Sequence, residues 1–332
     1  MSRRGWLLFA AMCVIWGLPY LLIKVAVRDL SPAALVFLRT GIGALLLVPV
    51  AAGRRQLRPL LARWGPLLAF SAVEIVVPWF LLSAAERRLS SSLSGLLVAA
   101  VPLVGVVLAR ATGARDRIGP SQLAGLVLGL FGVSALVGFD VGAADLGSVG
   151  EIAVVVVGYA TGPWLFSRYL ADLPSLGVVA ASLLIAALVY APFGLTELPA
   201  RWPSAHVAGA VVVLAVICTA LAFMVFFALI AEVGPVRATV ITYVNPAVAV
   251  VLGVGLLGES FTTATAVGFL LILAGSVLAT RRSGAIRSDG GNRAGRSGSP
   301  GRSGWSRSGW PRRPRAASNH PGAPRHDAAR TG

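Results

Sequence analysis

The sequence predicts an all-α polytopic membrane protein of ten transmembrane helices, arranged as two inverted five-helix repeats. Composition is the first reason, because the chain is 56% hydrophobic and only 13% charged, whereas soluble domains carry about 25% charged residues. The second is a series of ten apolar segments, each near the roughly 20 residues that a helix needs to cross hydrocarbon. The third is internal repetition: Gly125 and Gly132 recur as Gly268 and Gly275, both 143 positions later.

The ten apolar segments follow one another along the chain with short polar connections. Continuous runs of this length favour helices over barrel strands, which alternate and span about 10 residues. The first run is longer than a signal-peptide core and has no small-residue cleavage site, so we interpret it as an uncleaved helix. The segments cover residues 6–27, 33–52, 64–85, 91–110, 118–139, 147–167, 175–195, 206–229, 236–257 and 263–280.

Two prolines support the duplication and fix the domain division. Pro102 recurs as Pro246 after 144 positions, and Pro32 recurs as Pro174 after 142. We therefore place the first repeat at residues 6–139, with helices 1–5, and the second at residues 147–280, with helices 6–10. Residues 281–332 form a separate tail.

The tail accounts for most of the net charge of +16, since it holds twelve arginines against Asp289 and Asp327. Rich in Gly, Ser, Pro and Arg and almost free of aliphatic residues, it is predicted to be a disordered basic cytoplasmic tail. Its cations are expected to attract anionic lipids of the bilayer. RNA binding through Trp305 and Trp310 is the alternative, but no nucleic acid is expected as a partner.

Loop charges predict the orientation in the membrane. With a cytoplasmic N-terminus, eleven arginines before the tail fall on the cytoplasmic side and four on the other, which is a positive-inside bias. Both termini are then cytoplasmic. Because each repeat has five helices, an odd number, the second enters from the opposite side and the halves are inverted. The Arg- and Ala-rich composition, with Lys24 as the one lysine, indicates a GC-rich bacterial genome and hence the inner membrane.

Several motifs resemble those of the EamA-type domain of the drug/metabolite transporter superfamily, present twice over residues 6–280. The resemblance implies ten helices with both ends inside, a central cavity between the repeats, and export or import of metabolites, amino acids or drugs. Residues 111–120 depart from the pattern, since members often carry a Gly-Glu pair there. The matching residues are Trp16-Gly17, Lys24, Arg39, Gly234, Pro246, Gly258-Glu259, Gly268 and Gly275.

Three ionisable residues lie well inside spans: Lys24, Arg39 and Glu74. Such groups are costly in hydrocarbon and normally face protein or a wet cavity. Glu74, near the middle of the third segment, is a candidate coupling carboxylate for a proton or cation; the alternatives are a static partner of an arginine and a peripheral position. Arg39 enters at a depth that allows a pair with Glu74, and a freed Arg39 would bind a substrate carboxylate.

The first helix carries Trp16, Tyr20 and Lys24 at i, i+4 and i+8, which form one stripe. We interpret this stripe as a cavity wall, with snorkelling of Lys24 to the interface as the alternative. The ninth helix carries a second polar stripe, for which substrate contact and interhelical hydrogen bonding both stay open. Its members are Thr239, Thr242, Tyr243 and Asn245, and the predicted helix kinks are Pro19, Pro102 and Pro246.

These features predict a secondary transporter, an exporter of small metabolites (amino acids or related compounds, or drugs) that works by alternating access and is coupled to protons. A facilitative channel-like permease and a non-transporting scaffold or receptor are the alternatives. No HExxH, GxSxG or P-loop motif is present, so neither an enzyme nor an ATP-driven pump is expected. No catalytic residue, metal site or cofactor is predicted, Glu259 is read as a capping or loop residue, and a monomer is the default, with a dimer left open.

Overall fold

Consecutive helices make up the secondary structure of the residues that the computed structural model describes: 2–112, 119–140, 145–201, 203–234, 238 and 240–280. No strand occurs among them. We number the ten helices in chain order. They are α1 (Arg3–Ala26), α2 (Pro32–Gly53), α3 (Arg58–Ala85), α4 (Ser91–Ala111), α5 (Pro120–Asp140), α6 (Leu146–Leu170), α7 (Ser175–Thr196), α8 (Ala205–Val233), α9 (Ile241–Leu257) and α10 (Thr263–Thr280).

Nine of these helices are long and apolar enough to cross a membrane, and α9 is a shorter apolar helix of 17 residues. The predicted fold class is therefore confirmed. The boundaries differ most at α3, which begins with a 3₁₀ turn at Arg58, and at α8, which continues to Val233. Gly234 follows with a φ of 83°, a conformation that glycine adopts without steric cost and that ends α8.

Three helices contain π-helical segments that the sequence analysis did not predict. They lie at Ala72–Val76 in α3, Val216–Leu221 in α8 and Phe166–Leu170 at the end of α6. The first two begin 144 positions apart, which is the offset of the repeat. Because a π segment replaces i→i+4 hydrogen bonds by i→i+5 bonds, it locally shifts the faces that a helix presents, and such segments are frequent at functional sites.

Helices α5 and α10, which occupy equivalent places in the two repeats, run antiparallel against each other. Gly125 lies against Gly275, whereas Gly132 lies against Gly268, so the numbering rises along one helix as it falls along the other. The backbones approach so closely that a methyl group on Gly125 would meet backbone atoms. Small residues permit this approach between helices in a membrane.

The equivalent pair α2 and α7 shows the same antiparallel arrangement. Gly43 lies against Leu183, and Phe37 lies against Gly194. The remaining contacts are also paired, since α1 packs on α8 and α9 while its equivalent α6 packs on α3 and α4. The two halves are thus inverted five-helix repeats.

We distinguish two ends of the bundle. The terminal face carries the start of α1 and the end of α10, and there Ser2 is hydrogen-bonded to Glu232 beside the end of α8. The distal face carries the connections at 27–31, 86–90, 197–201, 203–204 and 258–262. Asp29 accepts a hydrogen bond from the backbone of Ser204 there. Many large apolar side chains point outward, including Leu45 (76% exposed), as expected of surfaces that meet lipid.

Residues 113–118, Thr239 and the tail 281–332 lie outside the described residues. The departure from the Gly-Glu pattern at 111–120, one member of the α9 stripe and the expected lipid contacts of the tail therefore stay predictions.

Candidate functional site

Arg39 of α2 is a buried cation in the interior of the bundle, with 6% of its surface exposed. Its Nε donates a hydrogen bond to Thr219 Oγ1 of α8 over 3.0 Å. Its guanidinium lies over the ring of Trp79 from α3, 3.7 Å from the ring centroid. Cation–π contact and a neutral hydroxyl stabilise the guanidinium, but neither neutralises its charge.

The acceptor of Arg39 is fixed by the π-helical segment of α8. Thr219 donates its own hydroxyl proton to Leu214 O, five residues earlier, over 2.8 Å. A hydroxyl has one proton, so the remaining lone pairs of Thr219 face the Nε–H of Arg39. The carbonyl that orients this hydroxyl thus comes from Leu214, two residues before the π segment that carries Thr219.

Arg39 does not form the pair with Glu74 that helix depth allowed. Arg63 with Asp172, on the terminal face, is the ion pair found among the described residues, and no carboxylate lies within 4 Å of Arg39. Among the residues that the structure describes, Arg39 has no hydrogen bond other than that to Thr219. Its two terminal nitrogens are therefore left for another acceptor.

Glu74 lies within the π-helical segment of α3 and packs into a notch on α6. The notch is Gly162, where a methyl group would overlap the Glu74 carboxylate. Glu74 Oε2 is buried and has no hydrogen-bond partner among the described residues. A desolvated carboxylate without a partner is costly when charged, so the site suits a carboxyl that binds and releases a proton.

Two tyrosines complete the interior site. Tyr159 of α6 interacts electrostatically with both Glu74 and Arg39, and Tyr20 of α1, which is 8% exposed, interacts with Tyr159 and Arg39. Tyr159 is therefore near enough to both the acid and the cation to respond to their charges. We call these two tyrosines with Arg39, Glu74 and Trp79 the central cluster.

The predicted stripe on α1 divides among three environments. Trp16 packs on aromatic rings of α8, with ring centroids 4.6 Å from Phe226 and 6.1 Å from Phe223. Tyr20 belongs to the central cluster. Lys24, at the distal end, bonds to backbone carbonyls of the protein.

Lys24 ties α1 to the turn between α3 and α4. Its Nζ donates to the carbonyl oxygens of Glu86 and Leu89, each over 2.7 Å. The ammonium is therefore bound to protein oxygens, which differs from the snorkelling alternative. Two backbone acceptors compensate part of the cost of removing this cation from water.

Glu259 caps the N-terminus of α4, as the sequence reading proposed. Its Oε1 accepts from the backbone N–H (2.7 Å) and hydroxyl (2.9 Å) of Ser91, and its Oε2 accepts from the N–H (2.9 Å) and hydroxyl (2.6 Å) of Ser92. Burial disfavours the charged form, but these hydrogen bonds outweigh it and hold the pKa of the Glu259 carboxyl below its ordinary value. A carboxylate at a helix N-terminus is also favoured by the helix dipole.

We expect Glu259→Gln to lower the free energy of unfolding by about 1–2 kcal/mol, because an amide cannot accept four such bonds. A carboxyl whose folded-state pKa is depressed stabilises the fold above its ordinary pKa of about 4.3, and that contribution is lost as pH falls through the folded-state value. The difference in melting temperature between wild type and variant should therefore shrink on acidification. Glu197→Gln, an exposed carboxyl on the same face, is the control; a pH-independent difference would contradict the capping role.

The polar residues of the α9 stripe that the structure describes do not lie in the central cluster. Tyr243 bonds through its hydroxyl to Thr280 Oγ1 (2.9 Å) near the terminal face, and Thr242 is exposed. With its amide oxygen and nitrogen exchanged, Asn245 donates to Cys13 O of α1 (3.2 Å) and Ile241 O (3.0 Å). These contacts match the interhelical alternative better than a cavity wall.

Of the predicted kink positions, Pro19 lies inside α1 and Pro246 inside α9, and both helices continue through the proline. Pro102 differs, because α4 is interrupted between Val98 and Val101 just before it. A proline at the start of a helical segment needs no N–H donor there.

The sequence analysis missed Trp79, Tyr159, Thr219 and Glu86. Tyr159 is one of five tyrosines in the chain, and a polar aromatic at mid-segment was a signal that could have found it. Glu86 follows the third predicted segment, 64–85, and was not singled out, yet it is fully buried. Thr219 had no signal, since a threonine in an apolar run commonly bonds its own helix.

A cleft of about 870 Å³ opens at the distal face between α2, α3, α6 and α7. It is lined by Arg87, Arg88, Glu151 and Glu197 among others. No group of three or more His, Cys, Asp or Glu side chains within the described ranges could hold a metal ion.

The chain is similar to known membrane transporters. The model of the EamA-like transporter family matches residues 3–138 and 149–281. The uncharacterised inner membrane transporter YedA of Escherichia coli K12 is 29% identical over 261 residues, or 76% of this chain and 82% of that protein. A probable amino-acid metabolite efflux pump of Salmonella typhimurium LT2 is 24% identical over 288 residues, 83% of this chain and 94% of that protein.

A solved crystal structure also shares the fold. It superposes with a TM-score of 0.60 at 22% sequence identity, and the match covers 84% of this chain and 97% of the other.

Proposed function

The chain belongs to the EamA-like transporter family, and on that premise we propose that it is a secondary transporter that exports small carboxylate-bearing metabolites, amino acids or related compounds, by alternating access. Drugs that carry a carboxylate are within the same chemical class. The proposed location is a bacterial inner membrane with both termini in the cytoplasm, and the proposed repeat boundaries are 6–139 and 147–280.

The observation that carries this proposal is that Arg39 is buried and has no ion pair among the described residues. A guanidinium removed from water without a counter-ion costs several kcal/mol, and a chain that keeps one at mid-bundle requires a compensating role for it. A planar carboxylate matches the fork of the guanidinium and bonds to it through two nitrogens. Substrate would supply that carboxylate.

The rings around Arg39 set the rest of the substrate's chemistry. The Trp79 ring covers the guanidinium, and the phenols of Tyr20 and Tyr159 act on it electrostatically. Aromatic groups of this kind favour an apolar or aromatic substituent next to the carboxylate. The Salmonella relative is named a probable amino-acid metabolite efflux pump, which agrees with this class.

Glu74 is the proposed proton-coupling residue, and Tyr159 is its link to the substrate site. Because Glu74 has no ion pair with any residue that the structure describes, a proton is the simplest partner that satisfies it. Tyr159 interacts with both Glu74 and Arg39, so the charge of Glu74 would alter the potential at the bound carboxylate. The antiparallel, inverted halves support an exchange between inward-open and outward-open states.

The test is solute flux in proteoliposomes that contain the purified chain. Radiolabelled amino acids and their methyl esters are compared with and without an imposed pH gradient. We expect acids to be moved and the matching esters, which lack the carboxylate, to be moved at least tenfold more slowly. Equal flux of acid and ester would refute the role of Arg39 as a carboxylate site.

Glu74→Gln is expected to abolish accumulation driven by the pH gradient while downhill exchange of substrate persists, because glutamine is the isosteric neutral form that cannot release a proton. Accumulation is measured as the ratio of internal to external substrate, which should fall to one. Glu232→Gln, an exposed carboxyl on the terminal face, is the matched control. Retention of gradient-driven accumulation in Glu74→Gln would instead support facilitated exchange.

A further inference from the structure

Glu86 is a buried carboxyl for which the proposed transport cycle has no role. It directly follows α3 at the distal face, none of its surface is exposed, and both carboxylate oxygens lack a hydrogen-bond partner among the described residues. Unpartnered buried polar atoms are rare in native proteins and call for a physical explanation.

The charged and titratable groups that act on Glu86 come from four different elements of the bundle. One ammonium and one guanidinium act on it, together with a second carboxylate and two phenols. They are Lys24 and Tyr20 of α1, Arg39 of α2, Tyr159 of α6 and Glu259 of the α9–α10 loop.

Each ionic neighbour of Glu86 has a hydrogen bond to some other group. The Glu259 oxygens are bound to Ser91 and Ser92, and Arg39 bonds to α8. The Lys24 ammonium bonds to the backbone carbonyls of Glu86 and Leu89. Among the described residues, no Lys, Arg or His side-chain nitrogen lies within 4 Å of the Glu86 carboxylate.

A charged carboxylate in this position would carry the full cost of desolvation. Burial accordingly raises the pKa of the Glu86 carboxyl well above its usual range, while Lys24 acts in the opposite direction, the neighbouring Glu259 charge adds to the rise and Arg39 lowers it. The neutral acid is therefore the form that fits the structure described above.

We propose that Glu86 is a second proton-binding site, distinct from Glu74, in which the proton on Glu86 determines where Lys24 bonds. With the proton bound, the ammonium of Lys24 holds the turn 86–90 against α1. When the proton passes to water, the new carboxylate draws Lys24 away from the two carbonyl oxygens, and the turn between α3 and α4 is released.

The geometry provides both the exchange route and the movement. Arg87 and Arg88, the next two residues, line the distal cleft of about 870 Å³, so solvent lies beside the turn. The lysine ammonium is carried on a flexible four-carbon stem, so it can change its hydrogen-bond partner without backbone movement. A released turn would free the distal ends of α3 and α4, which is the side that must open in one state of alternating access.

This inference depends on the proposed function only for its consequence in transport; the proton site itself is tested without any substrate. Infrared difference spectra of purified protein in lipid nanodiscs, titrated with pH, detect the C=O stretch of each protonated carboxyl. We expect Glu86→Gln to remove one such band and Glu74→Gln to remove a different one. An unchanged spectrum in Glu86→Gln would overturn the proposal.

Lys24→Met tests the connection between the two groups. Loss of a nearby cation should move the midpoint of the Glu86 band upward by about one to three pH units. An unmoved midpoint would show that Lys24 does not respond to Glu86. A midpoint that shifts with sodium at fixed pH would replace the proton by a metal cation and would likewise contradict the proposal. Failure of the flux assay alongside an intact band would count against the transport function alone.

Discussion

Arg39→Gln is expected to reduce substrate flux at low substrate concentration by about 30-fold or more. Truncation of one partner of a buried, hydrogen-bonded charge pair costs about 2–5 kcal/mol, and each 1.4 kcal/mol corresponds to a factor of ten in affinity. The measurement is the initial rate of radiolabelled amino-acid uptake into proteoliposomes. Arg39→Lys should retain an intermediate rate, because an ammonium keeps the charge but not the planar pair of donors.

The melting temperature of Arg39→Gln separates a transport role for Arg39 from a purely structural one, which would predict a lower melting temperature with unchanged flux. In the absence of substrate, Arg39 is an uncompensated buried charge, so its removal should leave the melting temperature of the purified protein unchanged or higher. Arg63→Gln, which breaks an exposed ion pair with Asp172, is the control and should change flux by less than about threefold. A large fall in melting temperature together with retained flux in Arg39→Gln would contradict the proposed site.

Gly125→Ala is expected to destabilise the bundle by about 1–3 kcal/mol, which is the usual cost of overpacking. The new methyl group would meet the backbone nitrogen of Ala279 and would lie 2.6 Å from Gly275 O. Backbone atoms cannot rotate out of the way, so α5 and α10 must separate. The measurement is the apparent melting temperature in detergent, together with the fraction that elutes as a single species in size-exclusion chromatography.

Gly138→Ala is the matched control on the same helix. A methyl group at Gly138 meets nothing within 4 Å, and alanine is the better helix former by about 1 kcal/mol, so stability should be equal or slightly greater. Equal melting temperatures for the two variants would mean that the close approach of α5 and α10 does not limit stability.

The helices were largely predictable from the sequence because their cause is local. A span of hydrocarbon requires about 20 apolar residues, and each of the ten helices shows this run directly. The errors fall where no hydropathy signal exists: the 3₁₀ turn that starts α3 at Arg58, and the end of α8 at Gly234, where a positive φ stops the helix.

The candidate site was only partly predictable. Tyr20, Arg39 and Glu74 were singled out as polar residues at membrane depth, and the structure brings them to one cluster. Their partners Trp79 and Thr219 were missed, since aromatic and hydroxyl side chains in apolar runs usually serve packing or bond to their own helix. The role of the α9 stripe as a substrate contact stays a prediction.

The sequence by itself determined where the ten apolar spans lie and that the halves are inverted, because a span of hydrocarbon requires a continuous apolar run and an odd helix count per repeat reverses the second half. Only the tertiary structure decided which polar groups meet. The π segments at Ala72–Val76 and Val216–Leu221 turn the faces that carry Glu74 and Thr219. Contacts between helices far apart in sequence leave Arg39 and Glu86 without an oppositely charged side chain within 4 Å among the described residues. Neither the π segments nor the contacts between distant helices can be predicted from regular helical periodicity. The chemistry of this transporter's interior therefore depends on the packing of the helices.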